Sequence, residues 1–156
     1  MSNGDSMVVH GNYSIELKGL KDAESGLKFF QTTFPRMSIQ TETPKAWGQG
    51  GKVQPTVGGG HQVTWSPVTL TRYVDDSTAL YDWAKAMADT GSNGDGVKQA
   101  PTITLMDNDT PLWAWSLTDA VPSEYGTSDA NAQAQGLMTE TITITYASAE
   151  RKSGGG

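Results

Sequence analysis

The sequence predicts a mainly β fold, namely a β-barrel or sandwich of about seven strands with one inserted α-helix. Three observations support this prediction. Several segments alternate apolar and polar residues with the period of two that is typical of half-buried strands. Glycine is plentiful at 18 residues and threonine is frequent, which favours strands and turns. A single segment has the wider apolar spacing of an amphipathic helix.

The first half of the chain contains three predicted extended regions. Residues 12–18 alternate as one half-buried strand, residues 27–43 form one or two extended segments, and residues 62–73 form the next strand. In the last two regions the apolar side chains change face at a proline, Pro35 or Pro67. Because proline cannot donate to a β-ladder, each of these positions indicates a bulge, a bend or a sheet edge.

The predicted helix spans residues 76–90. Its apolar residues follow the i, i+3, i+4, i+7, i+8 spacing of one helix face: Leu80, Trp83, Ala84, Met87 and Ala88. Three residues near its start are candidate N-caps, and two of them place negative charge at the positive end of the helix dipole: Asp75, Asp76 and Ser77. Gly91 is positioned to end the helix.

The second half of the chain returns to strand patterns, and the last of these is the clearest. Its core face carries three apolar side chains: Ile142, Ile144 and Tyr146. Its other face carries only threonine: Thr139, Thr141, Thr143 and Thr145. Threonine forms strands readily and tolerates water, so we expect this second face to be the wet side of a sheet.

One domain is predicted over residues 12–148, between a flexible N-terminal arm at 1–11 and a disordered C-terminal tail at 149–156. Within the domain, residues 44–61 are rich in glycine and proline and predict a loop far longer than most connections. A loop of this length in a compact domain is either functional or disordered. Trp47 stands inside it, where a tryptophan either anchors a contact or tucks onto its own domain.

Composition narrows the class of protein. The chain has no cysteine, which excludes disulfides, thiolate metal sites and a cysteine nucleophile. No apolar run approaches the roughly 20 residues of a membrane-spanning helix, and no signal peptide is evident, so we expect synthesis in the cytoplasm without membrane insertion. The net charge of −6 argues against general nucleic-acid binding, which depends on neutralising phosphates.

The residue patterns argue against catalysis and against a bound cofactor. Asp107, Asp109 and Asp119 are candidates for a carboxylate cluster, but the first two belong to a connection between predicted strands, where Asp is an ordinary turn residue. Segment 93–96 resembles part of a calcium loop but lacks the series of acidic ligands that such a loop needs. Segment 58–61 is rich in glycine but is not followed by the Lys-Ser/Thr of a phosphate loop. We therefore expect a structural protein that is not an enzyme.

Five segments share their order and spacing with one known family. They are 13–19 (YSIELKG), 63–72 (VTWSPVTLTR), 77–84 (STALYDWA), 103–122 (ITLMDNDTPLWAWSLTDAVP) and 128–146 (SDANAQAQGLMTETITITY). Their common grammar is a strand ending in Leu-x-Arg, a helix with Leu-x-x-Trp, a hairpin around an Asp turn, Trp-x-Leu-x-x-Ala-x-Pro, and a final strand led by Glu140. In these features the chain resembles the phage tail tube protein family, which includes the inner tube proteins of extracellular contractile injection systems.

The resemblance implies a β-barrel subunit that closes into hexameric rings, which stack head to tail as the hollow inner tube of a phage-tail-like contractile injection particle. Neighbouring subunits would join their inner strands into one lumen wall. The lumen-facing candidates are Thr139, Thr141, Thr143 and Thr145. The implied partners are further copies of the chain, the surrounding sheath protein, baseplate and terminator proteins, and a cargo of DNA or protein. No cofactor is implied.

The long loop supplies the candidate residues for contacts between rings. They are Lys45, Trp47, Gly48, Lys52, Gly58, Gly59 and Gly60. Trp47 is the candidate hydrophobic anchor, and the two lysines supply charge. The alternative class is a monomeric β-barrel module that binds a ligand such as a carbohydrate, and such a module would form neither rings nor tubes.

Overall fold

The computed structural model describes residues 13–21, 23, 25–41, 61–129 and 136–154. Within these residues the chain forms eleven strands and one helix. In chain order they are β1 (Tyr13–Lys18), β2 (Leu27–Phe29), β3 (Gln31–Thr32), β4 (Arg36–Thr41), β5 (His61–Ser66), β6 (Val68–Tyr73), α1 (Ala79–Thr90), β7 (Thr102–Asp107), β8 (Thr110–Thr118), β9 (Val121–Thr127), β10 (Thr139–Thr145) and β11 (Ser148–Ser153). The predicted arm at 1–11 lies outside the described residues, as does the predicted loop at 44–61 apart from His61, which begins β5.

The strands pair in antiparallel fashion and form three sheets. One sheet has five strands in the order β11-β8-β7-β1-β2, one has four in the order β3-β6-β10-β9, and β4 pairs with β5 as a separate two-stranded ribbon. The two larger sheets are joined at Phe30, which lies between β2 and β3. The backbone N–H of Phe30 donates to the carbonyl oxygen of Thr71 at 3.1 Å.

The two larger sheets and the helix share one hydrophobic core. Apolar side chains alternate with more exposed polar ones along β1, β6 and β10, as in β1, where Ile15 and Leu17 are buried. The larger members of this core from the other elements are Leu27, Phe29, Val68, Leu70, Leu80, Trp83, Ile103, Leu117, Ile142 and Ile144. The predicted mainly β fold with one helix is confirmed. The strands outnumber the predicted seven because β2 and β3 are short and β11 lacks an apolar pattern. In addition, the single strand predicted at 62–73 is divided at Pro67 into β5 and β6, which belong to different sheets.

The prediction of a disordered tail from residue 149 is wrong for residues 149–153. They belong to β11, which pairs with β8 over the register Ser148↔Thr118 to Ser153↔Trp113. The guanidinium of Arg151 lies 4.8 Å from the centre of the Trp113 ring, a cation–π contact. Backbone pairing with β8 stabilises this strand, because the side chains of the sequence SAERKS bury little surface themselves.

The helix begins three residues later than predicted. α1 starts at Ala79 rather than at residue 76, since Asp75 bonds to Arg72 and the Ser77 hydroxyl accepts a 3.3 Å hydrogen bond from the backbone N–H of Ala79. One oxygen of the Asp75 carboxylate accepts a 2.8 Å hydrogen bond from the backbone N–H of Ser77. Gly91 ends the helix as predicted: it has a φ of 78°, and its N–H donates to the carbonyl oxygen of Met87. Leu80 and Trp83 are buried as predicted, but Ala88 is exposed.

Candidate assembly surface

The outer face of the four-stranded sheet is lined with threonine hydroxyls. Thr139, Thr141 and Thr143 of β10 are half-buried and Thr145 is exposed, while the alternate residues of the same strand are buried in the core. We call this surface, with its β6 members, the threonine face. Its residues are Thr69, Thr71, Thr139, Thr141, Thr143 and Thr145. The structure confirms that the threonines of β10 lie on the side of the strand that faces away from the core. The role of this side in a lumen stays a prediction.

Two cross-strand hydroxyl pairs hold the middle of the threonine face. The Oγ1 atoms of Thr69 and Thr143 are 3.1 Å apart, and those of Thr71 and Thr141 are also 3.1 Å apart. Each pair joins residues directly opposite each other on β6 and β10. Such pairs add a few tenths of a kcal/mol to about 1 kcal/mol each and fix the hydroxyls in a regular array. The contribution of Thr69 and Thr71 could be read from the alternation of β6, where Val68 and Leu70 face the core.

A charge network lies on the opposite, core-facing side of the same sheet. Its members are Arg72, Asp75, Tyr125 and Glu140. Nη1 of Arg72 donates to Oε2 of Glu140 at 2.5 Å, and the Tyr125 hydroxyl donates to Oε1 of Glu140 at 2.7 Å. Nη2 of Arg72 donates to Oδ2 of Asp75 at 2.6 Å. Arg72 and Glu140 are only 5% and 3% exposed, so their charges are paired in a nearly dry site.

The strand alternation explains why this network exists. Arg72 follows Leu70 on the core side of β6, and Glu140 precedes Ile142 on the core side of β10. A charge at a core position needs an opposite partner, and the register places these two residues directly across from each other. Burial, and then the hydrogen bond to Glu140, raise the pKa of Tyr125 to about 12, so its phenol stays a donor. The predicted capping role of Asp75 is replaced by this contact with Arg72.

We expect Asp75 to make stability depend on pH in the acid range. Hydrogen bonds from Arg72, and then from the Ser77 backbone, hold the pKa of Asp75 below its usual value. A carboxyl whose pKa is lowered by folding stabilises the fold at pH values above its unfolded pKa of about 3.9, and this contribution is lost as the pH falls through the lower folded value. The contribution is small because the side chain is 55% exposed.

The measurement is the free energy of unfolding of the wild type and of Asp75→Asn between about pH 7 and pH 2. The variant should be less stable at neutral pH, and the difference should shrink in acid. Asp76→Asn is the matched control because Asp76 is an exposed neighbour of Asp75. A difference that stays constant down to the lowest pH would contradict this role of Asp75.

The residues considered for catalysis form turns rather than a site. Asn108 and Asp109 have φ values of 49° and 69° in the two-residue connection between β7 and β8, which confirms the hairpin turn. Asp119 also has a positive φ, in the kink between β8 and β9. Among the described residues, no group of three or more His, Cys, Asp or Glu side chains is arranged to hold a metal ion. The single described helix, α1, is too short to cross a membrane.

The candidate residues for contacts between rings lie outside the described residues. They are Lys45, Trp47, Gly48, Lys52, Gly58, Gly59 and Gly60. The strands on either side of them, β4 and β5, are described and form the two-stranded ribbon. The predicted contact residues do not include this ribbon, although its apolar side chains alternate in the sequence.

Solved structures with the same fold include proteins of an extracellular contractile injection system and an Hcp protein. The chain is 16% identical to a protein in the anti-feeding prophage baseplate, with a TM-score of 0.64 over 98% of both chains. It is 15% identical to one in the sheath/tube terminator of an extracellular contractile injection system, with a TM-score of 0.64 over 94% of this chain and 99% of that chain. Hcp1 from Salmonella typhimurium is 17% identical, with a TM-score of 0.55 over 90% of this chain and 86% of that chain.

The fold is thus that of a β-rich tube protein. The family model of the T4-like virus tail tube protein gp19 matches residues 10–150. The chain belongs to this tail tube family, and as a tail tube protein it is part of an assembled particle. No individual curated protein matches it.

Proposed function

We propose that the chain closes into hexameric rings, which stack head to tail as the hollow inner tube of a contractile particle and conduct its cargo. The threonine face is the observation that carries this proposal. It is a regular array of neutral hydroxyls on one side of a sheet whose other side is core. A surface of this kind suits the wall of a water-filled channel, because its hydroxyls are wetted. Glu124 of β9 is exposed and lies across from Thr143 on the same face, and its negative charge would repel the phosphates of DNA rather than hold them.

The edges of the four-stranded sheet provide a way to close the ring. Its terminal strands are β3 and β9, and β9 is seven residues long. An unpaired strand edge presents backbone donors and acceptors to another chain. Pairing between the β9 edge of one subunit and the β3 edge of the next would continue the sheet and bring all threonine faces onto one inner wall.

The remaining partners follow from this arrangement. The related structures are named for a baseplate, a sheath–tube complex and a tube terminator, and we infer equivalent partners for this chain. The loop with Lys45, Trp47 and Lys52 remains our candidate for additional contacts between rings. The force for delivery comes from the sheath, so the subunit needs no cofactor and no catalytic step. DNA and protein are both compatible with a lumen lined mainly by hydroxyls.

Cysteine labelling tests whether the threonine face lines the lumen. The chain has no native cysteine, so Thr143→Cys introduces a single thiol. A maleimide carrying a long polyethylene glycol chain should label this thiol rapidly in free subunits and slowly in tubes, because the tube wall shields it. Thr102→Cys is the matched control. Thr102 is also half-buried and lies within 3.5 Å of a hydroxyl on the next strand, but it faces outward from the five-stranded sheet.

The proposal predicts that assembly slows labelling at residue 143 and leaves labelling at residue 102 little changed. Equal rates at residue 143 in subunits and tubes would show that the threonine face does not line a closed channel. Slower labelling at residue 102 alone would place the opposite sheet on the inside.

A further inference from the structure

An exposed apolar surface lies on one face of the β4–β5 ribbon. The register pairs Ile39 with Val63 and Met37 with Trp65, so these four side chains share a face. Trp65 closes the base of the ribbon: its ring centre lies 6.0 Å from that of Tyr146 and 6.4 Å from that of Trp115. Beyond this base, Met37, Ile39 and Val63 are 51%, 56% and 42% exposed. We call these three residues the ribbon patch.

The ribbon patch has the alternating pattern of a surface that packs against another one. Its side chains alternate with polar ones, such as Gln40 and Gln62, as they do in a strand that packs on a core. An isolated two-stranded ribbon is marginally stable in water, and contiguous exposed apolar side chains mark sites of interaction. Within the part of the chain that the structure describes, Met37, Ile39 and Val63 remain exposed, and such a surface suits contact with another molecule.

A second apolar surface lies where β6 ends and β10 begins. It consists of Phe30, Tyr73, Val74, Leu137 and Met138, which are between 40% and 74% exposed. The rings of Phe30 and Tyr73 stack with their centres 4.5 Å apart, and the backbone N–H of Val74 donates to the carbonyl oxygen of Met138 at 2.9 Å. We call this group the rim patch.

The two patches lie at opposite ends of the four-stranded sheet. β6 begins at Val68, directly after the base of the ribbon, and ends at Tyr73 in the rim patch. At about 3.3 Å per residue, this strand separates the patches by roughly 20 Å. A contact between unlike surfaces at opposite ends of identical subunits is heterologous, and it repeats without closing. The sheet edges, by contrast, lie at the sides of the strands, where they serve contacts within a ring.

We propose that the ribbon patch of one subunit docks on the rim patch of a subunit in the next ring. The occupant of each patch is therefore a second copy of this chain, and the contact sets the polarity of stacking. The inference rests on the proposed stacking of rings and names the surfaces that perform it. It transfers the main contact from the predicted loop to the strands that flank the loop.

Two variants and a control test the contact by electron microscopy. The ribbon variant carries Ile39→Ser and Val63→Ser, and the rim variant carries Tyr73→Ser and Leu137→Ser. The control, Gln40→Ser with Gln62→Ser, changes a cross-strand pair on the other face of the same ribbon. Thermal unfolding verifies that each protein is folded. If a double variant does not fold, the single variants Ile39→Ser and Leu137→Ser replace it, since both positions are exposed.

Each variant alone should form single rings and need at least roughly tenfold more subunit to form tubes, whereas the control should form tubes as the wild type does. Preformed rings of the two variants, mixed in equal amounts, retain one complementary pair of patches and should form double rings that do not grow. Normal tubes from either variant, or a mixture that contains only single rings, would overturn the inference while leaving ring formation intact. A wild type that forms no rings would instead overturn the proposed function, and this inference with it.

Discussion

Replacing Trp83 by alanine is expected to lower the free energy of unfolding by about 3–5 kcal/mol. The side chain is 3% exposed and packs in the core shared by α1 and the two larger sheets. Its indole Nε1 donates to the carbonyl oxygen of Val97 at 2.6 Å, which ties the helix to the segment that follows it. Alanine leaves a large cavity and also leaves that buried carbonyl without its donor.

Chemical denaturation followed by circular dichroism measures this loss. Lys85→Ala is the control on the same helix, because Lys85 is exposed and its ion pair with Asp89 lies in water. This control should leave the stability nearly unchanged. A loss for Trp83→Ala of less than about 1 kcal/mol would contradict the burial of this helix face.

Breaking the ion pair between Arg72 and Glu140 is expected to be as costly. Arg72→Met leaves the Glu140 carboxylate buried without an ionic partner, which costs about 3–5 kcal/mol, whereas after Glu140→Leu the Arg72 guanidinium keeps its ion pair with Asp75 and the loss is smaller. The double variant replaces both charges with apolar side chains in contact with the core. Its loss should therefore be smaller than that of Arg72→Met, because no buried charge remains.

A double-mutant cycle on unfolding free energies separates the pair from its surroundings. The expected coupling between the two positions is several kcal/mol, since the two atoms that carry the charges are 2.5 Å apart. Additive losses would mean that Arg72 and Glu140 act independently. Asp75→Asn provides a comparison within the network, because Asp75 is half-exposed and its removal leaves Glu140 to pair with Arg72.

The sequence predicts β10 well because both faces of this strand are defined by its own residues. Ile142 and Ile144 are fully buried, and the threonines between them lie on the wet side, as their alternation indicates. The same holds for the buried face of α1 around Leu80 and Trp83. In these elements, local periodicity and tertiary burial agree.

β11 could not be predicted because its order comes from another strand. None of its six residues is buried, and only Ala149 is packed against the core. The start of α1 was misplaced for a similar reason, since Asp75 bonds to Arg72 and does not cap the helix. Propensity and capping patterns report only local preferences, and a long-range ladder or ion pair overrides them.

The charge network was only partly predictable. Arg72 and Glu140 each stand at a core position of an amphipathic strand, which signals a buried charge that needs a partner. They are 68 residues apart in sequence, so their pairing depends on the register between β6 and β10. The ribbon patch illustrates a second limit of prediction from sequence. The alternation of Met37 and Ile39 predicts a strand, but it does not show whether the surface that packs on them belongs to the same subunit.

Imaging the purified chain tests the central claim most directly. Native mass measurement gives the number of subunits per particle, and averaged electron micrographs give the symmetry of end views. The account predicts six-subunit rings with an open centre that stack into tubes of uniform width. A folded protein that remains a monomer at every concentration, with no rings and no tubes, would contradict it and favour a monomeric ligand-binding module.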